Sequence, residues 1–260
     1  MPLDPNIMLN VINSLLGPQG CPWDKEQTPK TLCDYLIEEA FELVEAIRSD
    51  DLHEVEEELG DVFFLLFFIS TLYEQKGQIS LEEVWKKNAH KMTVRHPHVF
   101  AETELANREE LFSRWEQIKK QEKENNSQAN NPFASLPAAL PPLLKAYRIQ
   151  AKAARNKFTW QSDVDQEKSL LQEWTEWQEA QKSASSLKKE EEFGDLLFSL
   201  IEQGRRQGIK ANAALHFANQ KFLRRFEAMQ QLAEEKDLSF DSLSLEAKNE
   251  LWDEVKRKEY

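Results

Sequence analysis

The sequence predicts an all-α protein: a tandem repeat of two helical-bundle units, each built round an acidic antiparallel helical hairpin. Three observations predict it. Glycine is scarce, seven in 260 residues, while Glu, Lys, Leu and Ala abound, a balance that favours helix over sheet. A polar stretch without apolar periodicity, Gln121 to Phe133, divides the chain into halves of nearly equal length. A shift of 134 residues lays IEEAFE and EEELGD of the first half on LQEWTE and EEEFGD of the second.

Under that shift Glu39, Glu42, Glu58 and Asp61 fall on Glu173, Glu176, Glu192 and Asp195. With 46 acidic residues in 260, four such coincidences at one chosen shift have a chance of about one in a thousand. Small loop offsets add further pairs: Lys91 and Arg95 with Lys221 and Arg225, Trp23 with Trp160, and Trp115 with Trp252. The expected layout is a first unit at 1–120, a polar and Pro-rich linker at 121–142, and a second unit at 143–260. Prolines 137, 141 and 142 lead into LLKAYRIQAKAAR, the expected first helix of the second unit.

A formal net charge of -13 argues against a nucleic-acid duplex as partner. A phosphorylated small molecule fits if metal ions supply positive charge. MPLDPNIMLN has no basic segment leading into an apolar run, so the expectation is a cytoplasmic protein whose two cysteines, Cys21 and Cys33, stay reduced. Val62 to Tyr73 is apolar but short of the ~20 residues a membrane span needs. It reads as a helix buried on nearly every side, with a helical partner across an oligomer interface.

Within the first hairpin, Glu39 and Glu42 are three apart, as are Glu58 and Asp61, so each pair shares a helix face. Arg48-Ser49-Asp50-Asp51 separates the pairs, and Asp51-x-x-Glu54 resembles a capping box. Glu42 and Glu58 each lie eight residues from position 50, Glu39 and Asp61 eleven, so in an antiparallel hairpin the pairs meet at matching levels. The second half repeats this about position 184, inside KSASS. Most acidic helix positions are simply solvated, and like charges at this spacing cost only ~0.2–0.5 kcal/mol per pair. Solvation does not account for mirrored placement beside the apolar runs VFFLLFFI and LLFSLI. Carboxylates converging there need a cation, and an all-oxygen donor set suits Mg²⁺ or Mn²⁺ over zinc. Neither hairpin has the Glu-x-x-His of a di-iron bundle, nor the Gly-turn loop of an EF-hand.

Lys91 and Arg95 share one helix face, and Lys221, Arg224 and Arg225 form a similar one, suited to phosphate oxygens. Trp174 and Trp177 read as packing residues. His96 and His98 in RHPHVF read as a helix stop with local polar contacts.

GCPWDKEQT, the pattern Glu38-Glu39-x-x-Glu42 followed by Glu58-x-x-Asp61, and KMTVRHPHVF together resemble the MazG family of nucleoside triphosphate pyrophosphohydrolases, in its two-domain form. The resemblance implies an all-α fold, Mg²⁺-dependent conversion of an NTP to NMP and pyrophosphate, a broad ribo- and deoxynucleotide range, a homodimer, and a housecleaning or signalling role. By position it implies metal ligands at Glu39, Glu42, Glu58 and Asp61, and at Glu173, Glu176, Glu192 and Asp195. It implies substrate contacts at Lys221, Arg224, Arg225 and Trp252, with Lys188 and Glu191 as neighbours.

The copies depart from one another. Gln172 stands where the first half has Glu38, and Val94 where the second has Arg224. The fuller phosphate-binding face makes the second unit the expected principal catalytic domain, with Lys91 and Arg95 serving a weaker or regulatory first. Glu38 is a proton acceptor available only to the first copy. No Ser, Cys or His arrangement suggests a covalent intermediate. The rival expectation is a non-catalytic helical interaction protein with solvated acidic faces.

Overall fold

The computed structural model describes residues 4–101, 118 and 131–258, and among them there are eleven α-helices and no strand. The chain divides into two compact units, Met1–Glu122 and Lys123–Tyr260. Trp115 and positions 121–130 of the expected linker lie outside the described residues.

The first unit runs α1 (Asn6–Leu16), α2 (Pro22–Glu26), α3 (Leu32–Ser49), α4 (Leu52–Gln75), α5 (Leu81–Arg95) and α6 (Pro97–Phe100). Helices α3 and α4 form the hairpin. Its turn is two residues long: Asp50 closes α3 in the left-handed region (φ 56°), and Asp51 caps α4 by accepting from the amides of His53 (3.0 Å) and Glu54 (3.2 Å). Such a cap contributes about 1 kcal/mol. The Asp51 amide donates to Ala46 O at 3.2 Å, so the donor that a full capping box would offer Glu54 is already engaged with α3.

Ile12 of α1, Leu32 of α3 and Leu65, Phe68 and Leu72 of α4 make the core. Burying Phe68, fully inaccessible, stabilises by roughly 1.5–3 kcal/mol. Within one chain the apolar helix is buried on only part of its surface, which leaves a face for the helical partner expected across an oligomer interface. Leu65, Phe68 and Leu72 face α1 and α3, whereas Phe63 and Leu66 on the other face are 51% and 45% exposed within one chain. Helices α1 and α3, and α5 through Trp85 on Phe67 (ring centroids 6.0 Å apart), cover α4 only in part. Helix α5 ends at Arg95, where His96 Nδ1 contacts Met92 O at 2.6 Å and Pro97 opens α6, so RHPHVF is a helix stop.

The second unit runs α7 (Pro142–Arg155), α8 (Asp163–Ala180), α9 (Ser186–Arg206), α10 (Ala211–Glu235), a 3₁₀ turn at Phe240–Ser242, and α11 (Leu245–Lys258). Pro142 occupies the first turn of α7, where a missing N–H costs nothing. Helices α8 and α9 form the second hairpin, and Ser185 caps α9 by accepting from the Lys188 amide at 3.3 Å. Trp177 packs on Phe193 with ring centroids 5.0 Å apart, while Trp174 is 47% exposed, so only Trp177 packs as expected. A separate cluster of Met229, Leu232, Ala233, Leu251 and Val255 joins α10 to α11.

The 134-residue shift exposes a difference between the cores. Leu32, Phe68 and Leu72 correspond to Gln166, Glu202 and Arg206. Gln166, fully buried, donates from Nε2 to Ser199 O at 3.2 Å, and Gln150 donates to Phe198 O at 2.6 Å. Glu202 holds Arg205 by two hydrogen bonds, 2.6 and 2.8 Å, and Arg206 reaches Asp163 (2.7 Å) and Trp160 O (3.0 Å). The open end of the first hairpin is apolar; that of the second is a hydrogen-bonded network.

Candidate active site

Each hairpin brings carboxylates from its two helices together. In the first unit one oxygen each of Glu39, Glu58 and Asp61 lie within 4.8 Å of one another. In the second the same holds for Glu173, Glu176 and Glu192. The i, i+3 spacing supplies a face on each helix, and antiparallel packing supplies the opposing face.

The fourth member of each set acts through its charge. Burial and then Glu42, followed by Asp61, raise Glu39 above the ordinary carboxyl range. Glu58, 8% exposed, is pushed up to about 7 by burial first, then by Glu42 and by its interaction with Glu39. In the second unit burial, then Glu176, Asp195 and Glu192, raise Glu173. Crowded anions beside an apolar wall hold protons that solvated ones release.

Glu58 Oε2 is buried without a hydrogen-bond partner among the described residues. An acceptor in that condition costs about 1–3 kcal/mol unless something positive meets it. Together with donor sets made wholly of carboxylate oxygens, this fits a hard divalent cation.

Glu38 is exposed on α3, and Gln172, at its counterpart position on α8, donates from Nε2 to Glu176 Oε1 at 2.9 Å. Lys188 lies four residues before Glu192 and Glu191 immediately before it, both exposed on α9. On α10, Arg225 stands over the Trp252 ring of α11, 5.7 Å from its centroid, and Phe222 packs on that ring at 5.3 Å. Arg224 lines a groove between α10 and α11 with Gln231, Glu235 and Lys258. Adjacent residues on a helix diverge by about 100°, so Arg224 and Arg225 reach different surroundings. Lys221 is exposed one turn before Arg225. Lys91, exposed, and Arg95, half-buried, occupy the last turns of α5.

Thus the structure joins the carboxylates within each trio and joins Arg225 to Trp252. Among the described residues, no hydrogen bond or ion pair ties the side chains of Lys188, Glu191, Lys221 or Arg224 to a trio. Sequence reasoning missed the Gln172–Glu176 bond, although the Glu-to-Gln departure at that position was its signal. It also missed the Arg225–Trp252 contact, which no local spacing encodes.

Residues 27–100, in the first unit, match the MazG nucleotide pyrophosphohydrolase domain. The chain is 35% identical over 255 residues to a nucleoside triphosphate pyrophosphohydrolase of Escherichia coli (strain K12), covering 97% of each chain. It is 35% identical over 251 residues to the nucleoside triphosphate pyrophosphohydrolase/pyrophosphatase MazG of Thermotoga maritima, covering 96% of this chain and 94% of the relative. A crystal structure of a mazG-related protein from Thermotoga maritima aligns with 44% of this chain and 98% of its own, at 30% identity and a TM-score of 0.40.

Proposed function

This chain belongs to the MazG family of nucleoside triphosphate pyrophosphohydrolases, and on that premise we propose that it converts an NTP and water to NMP and pyrophosphate, chiefly in its second unit. The observation that carries the choice of unit is the half-buried trio Glu173, Glu176 and Glu192 in the same unit as the Arg225–Trp252 pair. The domain match lies on the first unit, whose trio we read as a weaker or regulatory site.

Glu173, Glu176, Glu192 and Asp195, and likewise Glu39, Glu42, Glu58 and Asp61, would hold Mg²⁺, or Mn²⁺ in its place, which when bound lowers the pKa of water and offsets phosphate charge. The chain's own groups bind and orient. Lys221 supplies a point charge to phosphate oxygens, and Arg225 a planar fork that can engage two of them. The Trp252 ring, braced by Phe222, offers a sequence-tolerant stacking surface for a base, which supports a broad ribo- and deoxynucleotide range and a housecleaning or nucleotide-signalling role. Lys188 and Glu191 flank the site from α9. Water attacks the α-phosphorus, the bond to the bridging oxygen breaks, and pyrophosphate leaves. The water's proton passes to a carboxylate not committed to the cation: Glu38 can take it in the first unit, whereas in the second the amide of Gln172 cannot and the proton falls to one of the set Glu173, Glu176, Glu192 and Asp195.

The exposed apolar face of the first hairpin, Ile37, Phe41 and Val44 on α3 with Leu59, Phe63 and Leu66 on α4, supports a homodimer. Pyrophosphate release from mixed NTPs with Mg²⁺ tests the reading. Wild type and Glu39→Gln should release it and Glu173→Gln should not. Full loss in Glu39→Gln with none in Glu173→Gln overturns the choice of unit, and no release from wild type overturns the activity.

A further inference from the structure

Gln172 replaces an acid by an amide beside a carboxylate cluster, and the structure shows what the amide does. Its Nε2 donates to Glu176 Oε1 at 2.9 Å, one turn along α8. An ionised carboxylate at that position would have no proton to donate. The two units differ at the very side chain this bond touches. Glu176 is half-buried and belongs to its trio with Glu173 and Glu192. Its counterpart Glu42 is exposed, and the first trio contains Asp61 instead.

We propose that Gln172 is a positioning residue that holds Glu176 among the oxygens the second unit offers to a divalent cation, so that the two units present different donor sets. The inference rests on reading the carboxylate groups as metal sites. A free glutamate samples several rotamers and must lose that freedom to ligate. The hydrogen bond from Gln172 favours one Glu176 rotamer and so removes part of that loss in advance, and one amide donor leaves most of the carboxylate's lone-pair sites available.

Charge and positioning predict opposite signs. Gln172→Glu adds a negative charge, which by Coulomb attraction alone tightens cation binding. It also removes the donor and sets a like charge one turn from Glu176, which by positioning loosens it.

The test is titration of Mn²⁺ alone, by calorimetry and by the spin signal of free Mn²⁺, into the full chain with the first site disabled by Glu39→Gln and Asp61→Asn. Gln172→Glu and Gln172→Ala should each weaken Mn²⁺ binding by about 10-fold, with melting in EDTA unchanged because Gln172 is exposed. In the converse chain, with the second site disabled by Glu173→Gln and Glu192→Gln, Glu38→Gln should tighten it. A parent that binds Mn²⁺ no better than both Gln172 variants, or a Gln172→Glu variant that binds more tightly, overturns the inference alone. A parent that binds no Mn²⁺ overturns the metal reading and the inference with it.

Discussion

Glu58 of α4 and Glu39 of α3 bring carboxylate oxygens within 4.8 Å of each other, and Glu58 Oε2 stays buried without a hydrogen-bond partner among the described residues. Burial first and then the charge of Glu42 raise the pKa of the Glu58 carboxyl, and that shift couples stability to pH. Unfolded, the Glu58 carboxyl titrates near its ordinary 4.5; folded, at about 7. Between these values the native state binds more protons than the unfolded chain, so the contribution present below about 4.5 is lost as pH rises through about 7. Glu39 and Glu173 shift in the same direction. Melting in EDTA should therefore fall between pH 5 and pH 8, Mg²⁺ should restore it at pH 8, and Glu58→Gln should flatten the metal-free profile. A metal-free melting temperature that rises with pH over this window, with Glu58→Gln showing the same rise, refutes the coupling.

Trp252, held between Phe222 and Arg225, should act on binding more than on turnover. Base–aromatic stacking contributes about 1–3 kcal/mol. Trp252→Ala should raise KM for an NTP by about 10-fold with a smaller change in kcat, and Trp252→Phe should recover most of the loss. Steady-state pyrophosphate release measures both. An unchanged KM in Trp252→Ala removes the tryptophan from the substrate site.

The open ends of the two hairpins should respond oppositely to exchange of their residues. Gln166 is fully buried with Oε1 unpartnered, so Gln166→Leu should raise stability by ~1 kcal/mol. Leu32→Gln, its mirror image, buries a polar group in an apolar cluster and should cost about 3 kcal/mol or more. Urea denaturation compares the pair. Equal destabilisation by both would mean the second core depends on its amide.

Arg205 and Glu202 are a largely buried pair, with side chains 18% and 9% exposed. Breaking it from one side leaves an uncompensated charge, so Arg205→Met should destabilise by ~3 kcal/mol, and adding Glu202→Met should recover much of that. The denaturation midpoints of the single and double variants decide whether the arginine acts through its partner or through packing alone.

The exposed α3–α4 face predicts self-association. Wild type should sediment as a dimer, and Phe63→Glu with Leu66→Glu should sediment as a monomer. A monomeric wild type at micromolar concentration refutes the homodimer.

The helices, both hairpins and the eight acidic positions were legible in the sequence because their signals are local. Helical spacing puts Glu39 with Glu42 and Glu58 with Asp61 on single faces, and proline and capping residues mark the helix ends near the turns. The repeat was legible because corresponding acids recur at one shift. Which carboxylates meet was decided only by the tertiary structure, because it depends on rotamers and on the depth at which each helix packs. Counting along the chain treats Glu42 and Glu176 alike; the fold leaves one exposed and draws the other into a trio beside Gln172. Burial likewise raised the pKa of the Glu58 carboxyl, since desolvation is a property of the packed hairpin and not of the residue. The contact of Arg225 with Trp252 and the polar end of the second hairpin arise from helices meeting across loops, where no periodicity reports distance.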